Sequence, residues 1–257
     1  MESRLRFLGT GSSLGIPVLG CKCAVCVSSD SKNKRMRSGA LLQIEGKSFL
    51  IDVGPDYKEQ ALKNNIDSLD GLVLTHSHYD HMGGFDDLRA YSYLGKHLPC
   101  LMLKTTFNEL KTSCFYLLKP SPENPDYSPF FSWHLLQEPY GKVVFEGLQM
   151  EYVSFFQMGM QVMGLKIGKF AYISDIKEYG PDLIAQLEGT ETLVLSALRK
   201  TPSPMHFSID EALAFIALIK PKRTYLTHIA HEIDHEALLE ELPPSVFIAY
   251  DGLEISF

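Results

Sequence analysis

Residues 72–84 constrain this chain more than any other stretch, because they place several metal-ligand side chains on one turn. The stretch reads LVLTHSHYDHMGG and contains the pattern H-x-H-x-D-H, formed by His76, His78, Asp80 and His81. The apolar segment ahead of it, residues 71–75, is typical of a buried strand. Imidazole and carboxylate groups are ligands that zinc, manganese and iron accept. The turn therefore predicts a metal site at the end of a strand. The alternative is a polar surface loop that happens to be rich in histidine.

A second cluster of ligand-type side chains lies near the amino terminus. Cys21, Cys23 and Cys26 fall within six residues. Three thiols at this spacing predict a zinc site that still lacks a fourth ligand. Disulfide pairing is the alternative, and a cytoplasmic location would disfavour it. The remaining cysteines, Cys100 and Cys114, have no ligand-like neighbours and are predicted to be small core residues.

Further polar groups follow segments that are predicted to be strands. Asp52, Asp175 and His228 each come at or just after an apolar, β-branched run. Without other context, a strand-end aspartate is as often a helix cap as a metal ligand. His206 lies two residues before Ser208, which opens an S-x-x-E pattern and so predicts a capped helix start. We interpret His206 as a functional loop residue, the alternative being a histidine that only packs against its loop.

The H-x-H-x-D-H turn resembles the signature of the metallo-β-lactamase-fold hydrolases, and the resemblance extends over nearly the whole chain. It implies an α/β fold, a four-layer αββα sandwich with two sheets inside and helices outside. It also implies that Asp175 bridges two cations. One cation would be held by Asp80, His81, Asp175 and His228. The other would be held by His76, His78 and Asp175. Asp52 would support the turn by hydrogen bonding rather than by binding metal.

Within that family the chain resembles in particular the phosphoribosyl cyclic phosphodiesterases of phosphonate breakdown. In that branch, the residue matching His231 completes the cysteine site, which is then closed and structural. The residue matching His206 assists at the leaving group. The chain departs from the family pattern after the strand predicted over residues 151–154, where a histidine is expected. Gln157 is the best-aligned residue there. An amide oxygen is a weaker donor to zinc than imidazole, so we predict weaker metal binding at that site or a preference for manganese.

The resemblance implies a metal-dependent phosphodiesterase that acts on a small phosphodiester, with a cyclic ribose phosphate as one candidate, through a metal-bound hydroxide. Asp80 and His206 are its predicted catalytic residues, and His206 would protonate the leaving group. The predicted cofactors are one structural zinc and one or two catalytic divalent metals, zinc or manganese. Two alternatives stay open. One is a non-hydrolytic or altered member resembling the pyrroloquinoline-quinone biosynthesis protein of this fold, and the other is a nuclease.

Length and composition limit the cellular setting. A chain of 257 residues fits one domain, and we predict a single domain over residues 1–257. The net charge of −7 argues against non-specific nucleic-acid binding and against a polybasic membrane patch. No apolar run approaches the ~20 residues needed to cross a bilayer, and no signal peptide is recognisable, so a cytoplasmic protein is expected. Residues 119–140 are rich in proline and aromatic residues. They predict a long excursion that is either a lid or homodimer surface or a rigid connection.

Three local predictions concern other segments. Residues 31–37 are predicted to be an exposed, mobile basic loop, and residues 85–94 a helix. His231 and His235 also fit H-E-x-x-H, the zinc-protease helix pattern. That interpretation is rejected because the preceding strand has only just ended at this point. His235 is instead expected near the mouth of the active site.

Overall fold

The computed structural model describes residues 3–92, 95 and 97–257. In the described residues the strands, in chain order, are β1 (Arg4–Gly9), β2 (Gly39–Ile44), β3 (Lys47–Ile51), β4 (Gly71–Val73), β5 (Leu98–Leu103), β6 (Phe131–Leu136), β7 (Gly141–Phe145), β8 (Leu148–Gln157), β9 (Met160–Ile167), β10 (Phe170–Ile173), β11 (Thr192–Ser196), β12 (Arg223–Thr227), β13 (Val246–Ile248) and β14 (Glu254–Ser256). The helices are α1 (Ala24–Val27), α2 (Tyr57–Lys63), α3 (Tyr79–Met82), α4 (Arg89–Ser92), α5 (Lys104–Ser113), α6 (Pro181–Gln186), α7 (Ile209–Ile219) and α8 (His235–Leu239).

The strands form two sheets of seven strands each among the described residues. The first has the order β14-β1-β2-β3-β4-β5-β6 and the second the order β13-β12-β11-β10-β9-β8-β7. Strands β3 to β6 run parallel to one another, as do β10 to β13. Loops that leave the carboxyl ends of neighbouring parallel strands meet at one edge of a sheet, which is where open α/β sheets build their sites.

The two sheets pack face to face through an apolar core. Leu5 and Phe7 of β1 are buried there because side chains alternate along a strand, while Arg4 on the other face is exposed. Phe49 of β3 and Phe145 of β7 join the two sheets with ring centroids 5.7 Å apart. Two further cores lie outside the sheets, one under α6 to α8 and one under α2 and α5. The αββα sandwich implied by the resemblance is therefore confirmed.

Three local predictions differ from the structure. Residues 85–88 form turns, and only Arg89–Ser92 is helical, while positions 93 and 94 of the predicted helix lie outside the described residues. The excursion predicted over residues 119–140 contains β6, which pairs with β5 in parallel, so its irregular part is shorter than expected. Residues 31–37 are not simply an exposed loop, because Asn33 and Arg35 are buried.

None of the helices among the described residues is both long and apolar enough to cross a membrane.

Candidate metal centres and the adjoining cleft

The ligand-type residues lie where strands of both sheets end. Asp52 follows β3, Asp175 lies two residues after β10, and His228 follows β12. All three have the left-handed backbone conformation, with φ of 61°, 59° and 61°. Non-glycine residues adopt this conformation at a cost, and such residues cluster at functional sites. The histidine turn reaches the same place from β4. A Cβ at Gly54 would lie 2.2 Å from the carbonyl oxygen of Asp80, so glycine lets the loop after β3 approach this turn.

The two ring nitrogens of His81 have different surroundings: Nδ1 contacts the Asp52 carboxylate, and Nε2 faces Asp80 and Asp175. Its Nδ1 lies 2.7 Å from Asp52 Oδ2, and both side chains are fully buried. Asp52 also accepts hydrogen bonds from the backbone N–H and hydroxyl of Thr75. When Nδ1 donates to Asp52, the lone pair of His81 is on Nε2, and this atom has no hydrogen-bond partner among the described residues. Asp52 therefore contacts the ring nitrogen of His81 opposite the one that faces Asp80 and Asp175.

Four donors converge around one point at the centre of the site. His81 Nε2 lies 3.4 Å from Asp80 Oδ2 and 3.1 Å from Asp175 Oδ2. His228 Nε2 lies 3.3 Å from Asp80 Oδ2 and 3.2 Å from Asp175 Oδ1. Tetrahedral ligands at ~2.0–2.1 Å from zinc are separated by ~3.3–3.4 Å from one another. The four side chains therefore fit a tetrahedral cation, and we call them the imidazole–carboxylate cluster.

The electrostatics of this cluster also favour a cation. Burial alone would raise the pKa of the Asp175 carboxyl, but the imidazoles of His228 and His81 hold it well below its usual range. Burial would lower the pKa of His81, and the carboxylates of Asp175 and Asp80 raise it well above its ordinary value. Two buried carboxylates thus require positive charge beside them. A divalent cation supplies that charge in place of protons, which is why metal binding at such sites releases protons.

His76 and His78 form a neighbouring set of donors close to Asp175. His76 Nε2 lies 3.1 Å from His78 Nδ1, again a distance typical of two ligands on one cation. His76 Nδ1 faces the Thr75 hydroxyl at 2.9 Å, and burial, with the charge of His81, lowers the pKa of His76 well below its ordinary value. Its imidazole is therefore neutral and able to bind metal. His76, His81 and Asp175 offer donor atoms within 4.8 Å of one another.

Gln157 lies between Asp175 and His206. It is 1% exposed at the end of β8, and its Nε2 lies 3.0 Å from His206 Nδ1 and 3.4 Å from Asp175 Oδ1. Its Oε1 is buried with no hydrogen-bond partner among the described residues. The amide thus reaches Asp175 through Nε2 and has an oxygen that no other described residue satisfies, and its role as a metal ligand stays a prediction.

His206 lies beside the cluster rather than far from it. Its Nδ1 is 3.1 Å from Asp175 Oδ1, and its ring stacks on that of His228 with centroids 4.7 Å apart. The helix that follows begins as predicted, because the Ser208 side chain and the Glu211 side chain form a capping box at the start of α7. This well-defined helix start fixes the loop that carries His206.

The cysteine cluster assembles around one nitrogen. The Sγ atoms of Cys21, Cys23 and Cys26 lie 3.4, 3.5 and 3.6 Å from His231 Nδ1. One ring nitrogen cannot make a hydrogen bond to three sulfurs, whereas a tetrahedral zinc with bonds of ~2.3 Å to sulfur and ~2.05 Å to nitrogen separates them by ~3.5 Å. The backbone N–H of Cys26, followed by the His231 side chain, lowers the pKa of the Cys23 thiol to about 6. The four residues fit a closed zinc site.

The two histidines of the H-E-x-x-H pattern, His231 and His235, have different partners in the structure. His231 faces the thiols, whereas His235 begins α8 and accepts a hydrogen bond from Arg35 Nη2 at 3.0 Å. His235 is 2% exposed and does not line the cleft described below, so the expectation that it lies near the active-site mouth is wrong. Burial of Arg35 was not predicted, because a basic loop residue is normally solvated.

A cleft of about 460 Å³ opens onto the imidazole–carboxylate cluster. His78, Asp80 and His206 lie on its wall, and His231 lies further along the same wall. Exposed apolar side chains at its rim include Leu14 and Tyr79. The remaining lining residues are Ser12, Ser13, Leu198, Arg199, Ser203, Met205, Ala230 and Glu232. Sequence reasoning missed Arg199 and Glu232, because nothing in their local pattern places them beside the metal-type residues.

Comparison with known proteins agrees with this geometry. The profile of the β-lactamase superfamily domain matches residues 47–229. A curated relative, an octanoyltransferase of Porphyromonas gingivalis, is 34% identical over 256 residues, which is 98% of this chain and 51% of that protein. The chain thus spans about half the length of this relative.

Solved structures share the fold over the full chain. A diphosphatase from the PhnP family superposes with a TM-score of 0.90 at 33% identity, covering 100% of this chain and 98% of that one. Zinc-bound PqqB from Methylobacterium extorquens superposes with a TM-score of 0.75 at 17% identity, covering 99% and 100%, a likeness of fold alone. The chain belongs to the β-lactamase superfamily, has the metallo-β-lactamase fold and is similar to the PhnP-family diphosphatase.

Proposed function

We propose that the protein is a metal-dependent phosphodiesterase that hydrolyses a small phosphodiester, a class that includes cyclic ribose phosphates. The observation that carries the proposal is the convergence of His81, Asp80, Asp175 and His228 at tetrahedral ligand distances beside an open cleft. The similarity to a PhnP-family diphosphatase supports chemistry at phosphorus. The cofactors that we propose are a structural zinc in the cysteine cluster and one or two zinc or manganese ions in the open site.

The residues of the open site divide into two groups around Asp175. Asp80, His81 and His228 would hold one cation with it, and His76 and His78 would hold the other, with Gln157 as a weaker donor. Bound cations at such a site activate water as a nucleophile and neutralise charge on phosphoryl oxygens. Asp175 keeps its negative charge because the surrounding imidazoles stabilise it. It approaches His81 and His228 of the first group and also lies with His76 of the second group among donors within 4.8 Å of one another, which suits a bridging role.

His206 is the residue that we propose moves a proton. It lines the cleft, and its Nδ1 lies 3.1 Å from Asp175 Oδ1. From this position it can donate to the departing alkoxide, a general-acid role. Gln157 contacts the same ring and restricts its orientation.

The cleft of about 460 Å³ suits a small substrate. Two alternatives, a non-hydrolytic member of the fold and a nuclease, can be distinguished from the proposed phosphodiesterase. A non-hydrolytic member resembling PqqB shares only the fold with this chain, at 17% identity. A nuclease would need to attract a polyanion, which the net charge of −7 opposes. Affinity for oligonucleotides that falls steeply with salt would support the nuclease instead.

The proposed activity is tested with the purified protein, added manganese or zinc, and bis(p-nitrophenyl) phosphate. We expect hydrolysis by the wild type and its loss in His81→Ala, because that variant removes a ligand. Lys200→Ala is the matched control, since Lys200 pairs with Glu241 outside the cleft. If the wild type and His81→Ala give equal rates with every metal, the proposed function is wrong.

A further inference from the structure

Ser174 is fully buried between the end of β10 and Asp175. Its Oγ donates a hydrogen bond to Asp175 Oδ2 at 2.6 Å. This contact is shorter than the contacts of the same carboxylate with His81 and His228, which are 3.1 and 3.2 Å. A hydroxyl that donates to an ionised carboxylate makes a charge-assisted hydrogen bond, with a usual O···O distance of ~2.5–2.7 Å. The Ser174 hydroxyl is therefore a strong partner of the Asp175 carboxylate.

The backbone of Asp175 does not by itself fix the orientation of its carboxylate. The residue has φ of 59°, outside the strand conformation, so its side chain does not follow the alternation of β10. The χ2 torsion of aspartate is broad, so the plane of a carboxylate can turn unless hydrogen bonds restrain it. The Ser174 hydroxyl supplies such a restraint from the neighbouring residue.

The other contacts of the Asp175 carboxylate depend on the state of the site. An imidazole binds metal through a nitrogen that carries no proton, so the cluster histidines cannot donate to Asp175 through the nitrogens that hold a cation. Contacts from His206 Nδ1 and Gln157 Nε2 are to Oδ1, at 3.1 and 3.4 Å. Ser174 donates to Oδ2, and its hydroxyl keeps its proton whether or not a cation is bound.

We propose that Ser174 is a positioning residue, whose hydroxyl fixes the plane of the Asp175 carboxylate so that its oxygens keep the orientation that binds a cation. The inference rests on the metal site of the proposed function and does not depend on the substrate. Loss of the hydroxyl should weaken cation binding in the imidazole–carboxylate cluster, while the cysteine cluster keeps its zinc. Groups that hydrogen-bond a metal ligand typically change metal affinity by ~10–100-fold when they are removed.

The neighbouring strand offers a matched control for this hydroxyl. Strands β10 and β11 are parallel with Ile173 opposite Leu195, so Ser174 and Ser196 are the next residues in the same register. Ser196 is also fully buried, but its Oγ has no hydrogen-bond partner among the described residues. Ser196→Ala therefore removes the same atom from an equally buried position without removing a bond to Asp175.

The test is competition for zinc against a chelator of known affinity, with zinc content per chain and thermal unfolding measured on the same samples of the whole chain. Ser174→Ala should lower the affinity of the imidazole–carboxylate cluster for zinc by about tenfold or more, and the zinc in the cysteine cluster should be retained. Ser196→Ala should bind zinc as the wild type does. Ser174→Thr should recover most of the lost affinity, because threonine keeps the hydroxyl donor.

Equal zinc affinity in Ser174→Ala and wild type would overturn the assignment, even if thermal stability changed, because stability alone would indicate a structural role. A loss of affinity of the same size in Ser196→Ala would overturn it too, since packing would then explain both. If the wild type binds zinc in the imidazole–carboxylate cluster but hydrolyses no phosphodiester, only the proposed function fails, and the zinc comparison still decides the role of Ser174. If the wild type binds zinc in the cysteine cluster alone, both proposals are wrong.

Discussion

Replacing Asp52 by asparagine tests how the protein prepares His81 to bind metal. The Asp52 carboxylate is 1% exposed and accepts hydrogen bonds from three donors. The Thr75 N–H lies at 2.8 Å, the Thr75 hydroxyl at 2.9 Å and His81 Nδ1 at 2.7 Å. Asparagine has the same shape but only one oxygen, so its amino group must face the Thr75 N–H or the His81 ring.

Either orientation of the new amide is costly. If the amino group faces Thr75, two buried donors oppose each other, at a cost of ~1–3 kcal/mol in stability. If it faces His81, the ring proton moves from Nδ1 to Nε2, the atom that lies 3.1 Å from Asp175 Oδ2. The lone pair that would bind metal is then lost. Removal of such a supporting carboxylate typically weakens metal binding by ~10–100-fold, or ~1.4–2.7 kcal/mol.

The assay is competition for zinc against a chelator of known affinity, with thermal unfolding measured in parallel. Asp251→Asn is the matched control, since Asp251 is another carboxylate that accepts hydrogen bonds, from Thr10 Oγ1 and the Met36 N–H, without contacting the cluster. It should lower stability and leave metal affinity unchanged. Equal metal affinity in Asp52→Asn and wild type would refute the supporting role of Asp52.

Three further changes have defined outcomes. Gln157→His should raise the affinity for the second catalytic zinc by about tenfold or more, because imidazole is a better zinc donor than an amide oxygen. Metal titration would measure this affinity. Unchanged affinity would mean that position 157 is not a ligand position. Cys23→Ser should lower bound zinc by one per chain and destabilise the protein, measured by metal analysis and thermal unfolding, and an unchanged metal content would contradict the closed site. Burial, followed by the charge of Arg35, lowers the pKa of His235 from 6.5 to about 4. The folded protein therefore keeps this ring neutral at pH values where the unfolded chain protonates it. The contribution of His235 to the free energy of unfolding is full above pH 6.5 and is lost as the pH falls towards 4. Between pH 7 and 4, the free energy of unfolding in urea should therefore fall by ~3 kcal/mol more for the wild type than for His235→Gln. The glutamine amide accepts the hydrogen bond from Arg35 but does not titrate. Equal falls in the two proteins would refute this.

The fold and most of the site could be predicted because local patterns carried the information. The H-x-H-x-D-H turn and the three closely spaced thiols each place several ligands within a few residues. Apolar runs that end in Asp175 or His228 predict strand ends, and parallel strands bring such ends to one edge. The resemblance to a known family then linked these separate segments.

The features that sequence reasoning missed depend on packing between distant segments. Arg35 has the pattern of a solvated loop residue, yet its guanidinium contacts the residue after β1, the first residue of α8 and the segment before β14. Residues 131–136 looked irregular because aromatic and polar residues alternate poorly there, and only pairing with β5 makes them a strand. Arg199 reaches the cleft because its backbone bonds to segments on either side, which local pattern does not reveal.

Anomalous X-ray scattering from crystals grown with zinc would locate the two separate cation centres that we propose for this chain. One peak should lie within bonding distance of Cys21, Cys23, Cys26 and His231. Another should lie within bonding distance of Asp80, His81, Asp175 and His228. Peaks only on the protein surface, with neither cluster occupied, would contradict the account.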